Sequence, residues 1–254
     1  MCTTCGCGDT SHSQEHQHAH DQSARRMLRV GEDLLAANNT HAARNRRRLD
    51  RAGIFTINLM SGPGAGKTTL LEQTIRQLIA RVPVAVIEGD QQTSRDAERI
   101  LATGAPAIQI NTGTGCHLDA HMVGHAIADL APVPGSLLFI ENVGNLVCPA
   151  GFDLGEARKV VILSVTEGED KPLKYPHMFV AAQLMLVSKI DLLPYVGFDV
   201  NACIAYAKQV NPRLEVLCVS ARSSEGMVEW LAWLERHRAE RPETAGVSSY
   251  VRCA

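Results

Sequence analysis

A chain of 254 residues with 45% apolar content has enough material for one α/β domain and a short appendage. Its 25 basic and 27 acidic side chains leave a net charge of −2, which gives no electrostatic case for nucleic acid or an acidic membrane as partner. No apolar run reaches the roughly eighteen residues of a bilayer span, and no basic stretch leads into an apolar one as in a secretory leader.

The expectation is therefore a cytoplasmic protein whose eight cysteines stay reduced. Residues 1–22 form a Cys/His-rich tail. Cys2, Cys5 and Cys7 make C-x-x-C-x-C, and His12, His16, His18 and His20 come after them. Three thiolates so close in sequence can close around one soft or borderline metal ion. Incidental thiols on a disordered tail are the bland alternative, and a redox pair is another, although it usually needs a βαβ scaffold that is not expected here. The histidines add weaker, exchangeable metal sites. Residues 23–52 read as a lead-in helix, with Met27, Leu28, Leu34 and Leu35 near the helical period and Asn38-Asn39 as a possible break. Arg44, Arg46, Arg47, Arg48 and Arg51 read as a solvated helix face rather than a nucleic-acid contact, because no aromatic residues interleave with them. Gly53 ends this helix.

Residues 55–71 are the stretch around which the rest of the chain is organised. A strand-forming run enters Ser61-Gly-Pro-Gly-Ala-Gly-Lys-Thr-Thr, and a helical pattern leaves it. Gly62, Gly64 and Gly66 let backbone N–H groups turn inward around a phosphate, with Pro63 and Ala65 between them. Lys67 can reach the outer phosphates, Thr68 can hold Mg²⁺, and Thr69 continues the helix start whose dipole faces the anion. Ser61 stands where the usual pattern begins with glycine. An ordinary strand–helix turn would need neither the lysine nor the hydroxyl.

Strands and helices then alternate. Strands are predicted at 84–88, 107–110, 136–141, 160–165, 184–187 and 215–219, and helices at 96–102, 118–130, 201–210 and 227–238, the first helix running from the loop to 79. That order implies a mostly parallel sheet with helices on both faces, filling a domain at 53–241 with a C-terminal tail at 242–254. Asp90, at the end of the second strand and with Glu88 behind it, is the candidate Mg²⁺-linked carboxylate, an ordinary strand-end turn being the alternative. The polar stretch 91–96 lies where a nucleotide-sensing segment would lie.

Cys116 and His117 are followed by His121 and His125, with Cys148 further on. If a helix starts near Cys116, the three histidines share one face, and thiolates beside imidazoles suit Zn²⁺ or Ni²⁺. By spacing alone, a buried Cys148 with water-facing histidines fits equally well. In Leu186-Val-Ser-Lys-Ile-Asp, Lys189 can lie along a base and Asp191 can accept the hydrogen bonds that guanine offers and adenine does not. Ser188 replaces the usual asparagine and weakens one contact. Ser220 and Ala221, with Arg222, form the companion loop, and GTP is favoured over ATP.

These segments, with Glu88-Gly-Asp-Gln-Gln-Thr, Gly115-Cys-His-Leu-Asp, Glu141-Asn-Val-Gly-Asn-Leu-Val-Cys-Pro and Lys189-Ile-Asp-Leu-Leu-Pro-Tyr, closely resemble the hydrogenase nickel-incorporation GTPases of the HypB family. The resemblance spans essentially the whole chain. It implies a P-loop NTPase fold, slow Mg²⁺-dependent GTP hydrolysis to GDP through Lys67, Thr68 and Asp90, and a homodimer formed with nucleotide. It implies delivery of Ni²⁺ to the large subunit of [NiFe]-hydrogenase, with a nickel-metallochaperone and the large-subunit precursor as partners. Cys2, Cys5 and Cys7 would form the N-terminal nickel site. Cys116, His117 and Cys148 would bind Ni²⁺ or Zn²⁺ at the dimer interface, with His121 as an additional candidate. The loop 144–148 would carry the γ-phosphate signal to Cys148. A nickel store with structural nucleotide, or a related GTPase maturing another metalloenzyme such as urease, is the rival reading.

Overall fold

The computed structural model describes residues 33–90 and 95–240. Cys2, Cys5, Cys7, the histidine tract, the first part of the lead-in helix, residues 91–94 and the tail at 242–254 lie outside the described residues. The chain divides into two compact units, Met1–Ala37 and Asn38–Ala254, the second beginning ahead of the domain start expected at residue 53. In the first unit the described residues, 33–37, are helical. Helix α1 covers 33–51, and its residues from 38 onward belong to the second unit.

That second unit is built on seven parallel strands: β1 (Phe55–Ser61), β2 (Val84–Asp90), β3 (Ala107–Asn111), β4 (Leu137–Glu141), β5 (Arg158–Ser164), β6 (Leu184–Ser188) and β7 (Glu215–Val219). All seven residues of β1 are buried, as expected of a central strand covered on both faces. Alternate side chains supply two cores. Phe55, Ile57 and Leu59 pack with α2 (Lys67–Leu78) and α8 (Met227–Ala239), through Leu71, Ile75, Trp230 and Leu234. On the opposite face, Ala85, Ile87, Leu138 and Ile140 meet Leu49 of α1 and Val123 and Ile127 of α4 (Ala120–Leu130). There too, Met60, Val161 and Met185 meet Phe179 of α6 (Pro176–Ala181) and Cys203 of α7 (Val200–Val210). Truncating a fully buried side chain such as Leu138 to alanine would cost about 2–5 kcal/mol. The two tryptophans lie stacked on α8, and Trp230 Nε1 donates to Thr74 Oγ1 of α2 at 2.9 Å.

Helix α3 (Arg95–Leu101) and the short α5 (Lys171–Lys174) complete the set, and no described helix is long and apolar enough to cross a membrane. The strand order is β3-β2-β4-β1-β5-β6-β7. β4 therefore stands beside β1, and β2 is one strand further out, which decides which carboxylates reach the phosphate loop.

Candidate functional site

Gly64 and Gly66 adopt left-handed backbone conformations, φ 72° and 94°, which an L side chain resists. α2 starts straight after Gly66 without a side-chain cap, so its first N–H groups face the loop's hollow. Lys67 is buried, and its Nζ donates to Ser61 Oγ at 2.9 Å, while Ser61 Oγ donates to Gly62 O at 2.6 Å. The serine at the glycine position thus holds the loop's lysine. Thr68 Oγ1 donates to Glu141 Oε1 at 2.8 Å.

Carboxylate oxygens of Glu88, Asp96 and Glu141 lie within 4.8 Å of one another. Oε2 of Glu88 and Oε2 of Glu141 are buried with no hydrogen-bond partner among the described residues. Burial pushes both carboxyls well above the ordinary range, and the neighbouring Glu141 charge raises the cost of ionising Glu88 further. Such a group calls for a cation or a proton, and its all-oxygen donor set suits Mg²⁺. Asp90, expected to fill this role, is not in the group. It ends β2 opposite Asn111 of β3, whereas Glu141 ends the strand next to β1. The signal available in the sequence was Glu141 itself, at the end of an apolar run. What pairwise reading could not supply was the strand order. Asp96 and Arg99 were also missed: Arg99 donates to Asp96 at 3.1 Å, to Glu72 at 2.7 Å and to Thr69 Oγ1 at 3.0 Å, joining α3 to the start of α2.

Beside the loop, Ala65, Gly66, Thr69, Lys189, Asp191 and Ala221 line part of a cavity of about 200 Å³. Asp191 Oδ1 accepts from Ser220 Oγ at 2.7 Å. Lys189 is held in the left-handed region, φ 59°, and its Nζ donates to Gly64 O at 2.6 Å. Ser188, which is buried, donates its hydroxyl to Ala65 O at 2.7 Å. The shorter side chain ties the loop after β6 to the phosphate loop.

The sulfur and nitrogen ligand atoms of Cys116, His117 and Cys148 also lie within 4.8 Å of one another. Sγ of Cys116 is 2.8 Å from Sγ of Cys148 and 3.4 Å from Nδ1 of His117. Hydrogen bonding to the Cys116 thiol pushes the Cys148 thiol up, and burial lowers His117, favouring the neutral imidazole that a metal needs. The His117 ring rests on Phe152, centroids 3.9 Å apart. Two soft thiolates and a borderline imidazole suit Ni²⁺ or Zn²⁺ and leave a coordination position open.

The expected helical face of His117, His121 and His125 does not form. Asp119 caps α4 by accepting from Met122 N at 2.8 Å, so the helix begins at Ala120 and His117 precedes it. His117 joins the thiols, while His121 turns its ring toward His125.

The two loops that carry this triad are connected to each other and to the phosphate loop. Asn142 Oδ1 accepts from Leu118 N at 3.2 Å and from Val143 N at 3.0 Å, and Asn142 Nδ2 donates to Asn58 of β1 at 3.3 Å. Asn145 accepts from Val147 N at 2.7 Å and donates to Cys148 Sγ at 3.4 Å. Gly144 lies against the phosphate loop so closely that a Cβ there would stand 3.1 Å from Pro63 Cα.

A parallel sheet, a phosphate loop capping its central strand and a neighbouring cavity lined in part by Lys189 and Asp191 define a P-loop nucleotide-binding protein of the α/β class. Residues 55–218 match the nucleotide-binding domain of the CobW/HypB/UreG family. The chain is 66% identical over 224 residues to the hydrogenase maturation factor HypB of Azotobacter vinelandii, covering 88% of this chain and 74% of that protein. It resembles the crystal structure of HypB from Archaeoglobus fulgidus with a TM-score of 0.76 and 40% identity, over 80% of this chain and 100% of that one. For HypB from Helicobacter pylori, solved in complex with nickel, the TM-score is 0.76 and the identity 38%, over 82% and 98% of the two chains. The chain belongs to the HypB family of hydrogenase maturation factors.

Proposed function

We propose that this chain is a GTP-hydrolysing nickel metallochaperone that helps insert Ni²⁺ into the large subunit of [NiFe]-hydrogenase. Nucleotide state is coupled to metal binding and to homodimerisation. The close contact between Gly144 and Pro63 carries this reading, because it joins the phosphate loop to the short segment that ends in Cys148.

Lys67, the loop N–H groups and the uncapped start of α2 bind the phosphates and stabilise charge as the γ-phosphoryl group transfers. Thr68 and Glu141, with Glu88 and Asp96 around them, are the residues that would hold Mg²⁺. Mg²⁺, when bound, supplies the positive charge that the phosphate oxygens develop against. Asp191 selects guanine, and Lys189 lies along the base. Ser188 keeps both loops in register. Departure of the γ-phosphate frees the 144–148 segment, which packs on Pro63 through Gly144, and Cys148 shifts relative to Cys116 and His117. Ni²⁺ is the cargo held there, and the nickel-bound Helicobacter pylori relative supports that choice of ion. By linkage, metal must change nucleotide affinity by the same factor that nucleotide changes metal affinity.

A second copy of the chain can complete the open coordination position, and Val147, 60% exposed beside Cys148, supplies apolar area for that contact. Family membership supports a nickel-metallochaperone and the large-subunit precursor as further partners, with Cys2, Cys5 and Cys7 as an N-terminal nickel site. The test is a Ni²⁺ titration with GDP and with a non-hydrolysable GTP analogue, on wild type and Cys148→Ala. Nucleotide should shift affinity or stoichiometry in wild type only. Indifference to nucleotide in both would leave two unconnected activities and favour nickel storage.

A further inference from the structure

Helices α1 and α4 meet along a contact that two buried asparagines fix. Asn45 Nδ2 donates to Ala120 O at 2.7 Å and to Leu154 O at 3.1 Å, and Asn38 Oδ1 accepts from Ala120 N at 2.8 Å. Gly124 lies directly under Asn45, where a Cβ would stand 2.8 Å from Asn45 Oδ1, so the Asn45 amide packs on the bare backbone of α4. His41 stands one turn ahead of Asn45 on α1, and His121 and His125 flank Gly124 on α4. The His41 and His121 rings meet edge to face with centroids 5.0 Å apart, and the His121 and His125 rings with centroids 4.6 Å apart. Nε2 of His121 lies 3.2 Å from Nε2 of His125.

Two imidazoles can face each other through Nε2 in two ways. One donates its proton to the other, or both lone pairs point at a single cation. For metal–nitrogen bonds of about 2.0–2.1 Å, adjacent donors lie roughly 3.3–3.4 Å apart around a tetrahedral ion and roughly 2.8–3.0 Å apart around an octahedral one. The observed 3.2 Å falls between these two spacings. His121 and His125 are exposed, so an ion reaches them without crossing the core, and His41 is half-buried beside them. As the rings stand, only the α4 pair presents its nitrogens to one point. His41 joins by rotation about its side-chain bonds, a motion of the ps–ns class for side chains near the surface.

We propose that His41, His121 and His125 form an all-imidazole site for a borderline divalent cation, separate from the Cys116–His117–Cys148 site. Nitrogen-only donors suit Ni²⁺, Zn²⁺ and Cu²⁺ over Mg²⁺ or Ca²⁺. Lacking thiolates, the site binds more weakly and exchanges faster than the sulfur site. It stands whether or not the nucleotide cycle moves Cys148.

The test is a Zn²⁺ titration of the full chain monitored by imidazole ¹H–¹⁵N NMR, which reads each ring separately and so is not masked by the tail or the thiols. Histidine signals are assigned with His41→Gln, His121→Gln and His125→Gln. These positions are exposed or half-buried, and an unchanged metal-free Tm checks that each variant folds. The expected result is that Nε2 of all three rings moves together to a common saturation point, and that His41→Gln weakens the response of the other two by about tenfold or more. Cys148→Ser should leave the response intact. Movement of His121 and His125 without His41 would reduce the site to an ordinary two-imidazole chelate and overturn the proposal. So would loss of the response in Cys148→Ser, which would make the rings part of the thiolate site, or no movement of the three at stoichiometric Zn²⁺.

Discussion

The phosphate loop and the Cys116–His117–Cys148 group lie on loops that touch, yet they are supported in opposite ways. Ser61, Lys67 and Thr68 are buried, and the loop around them is tied to the sheet by Glu141 and Ser188. Cys116, His117 and Cys148 are all half-buried and outside the sheet, Cys148 opening a short 3-10 turn and the other two lying between β3 and α4. Buried, fully bonded side chains hold one geometry, whereas donors on partly exposed loops can be re-aimed at small cost. A rigid loop beside ligands that can be re-aimed is what the coupling proposed above would need, with the Gly144–Pro63 contact between them.

The largest effect expected is at Lys67. Lys67→Ala should lower GTP turnover by about 10²–10³ or more, as loss of a transition-state donor does, while Ni²⁺ binding by the chain in the absence of nucleotide persists. Unchanged hydrolysis, measured as phosphate release, would remove the phosphate loop from the chemistry. Next come the carboxylates: Glu141→Gln should lose most Mg²⁺-dependent turnover, and Asp90→Asn should lose far less. The reverse order in Mg²⁺-dependence curves would restore Asp90 to the role its place in the sequence suggests. On the thiolate side, Asn142→Ala should weaken Ni²⁺ binding by about 10–100-fold through disordered ligands, with hydrolysis rates changing much less. Equal loss of both would mean that the two regions are not separable.

A smaller effect should appear with pH. Burial raises the Glu88 and Glu141 carboxyls above their unfolded value of 4.5, so the folded chain binds these protons more tightly than the unfolded chain. Without cation, stability is greatest below that value and falls as pH rises through the window up to the folded pKa. Mg²⁺-nucleotide should flatten this slope, as should Glu88→Gln. Thermal melts across pH, with and without Mg²⁺ and GDP, would expose the error if apo stability rose with pH instead. Smallest is Ser188→Ala, expected to cost about 1 kcal/mol of GDP affinity, with Ser188→Thr retaining most of it.

Much of this was legible in the residues. Apolar runs such as Phe55–Ser61 and Leu137–Glu141 announce covered parallel strands, and the loop at 61–69 reads as a phosphate site because glycine, lysine and hydroxyl fall in one register. Spacing offered Cys116 and His117 with Cys148 as one of two readings, and resemblance tipped the choice, since a helix and a strand between them had to fold before the distance was fixed. Glu141 was not singled out beside Asp90 because lateral strand order depends on crossover packing, and no local pattern encodes it. The histidines were misplaced by a start signal read too early: Asp119 accepts at the cap and begins the helix after His117.

The indole of Trp230, bonded to Thr74 on the helix that leaves the phosphate loop, has one more consequence. The chain contains two tryptophans, and both sit on α8, which packs against that helix. Its near-ultraviolet emission should therefore report, without added dye, on the helix that leaves the phosphate loop. Emission that steps with GDP and stays level with Ni²⁺ would let the two events be timed separately in one cuvette.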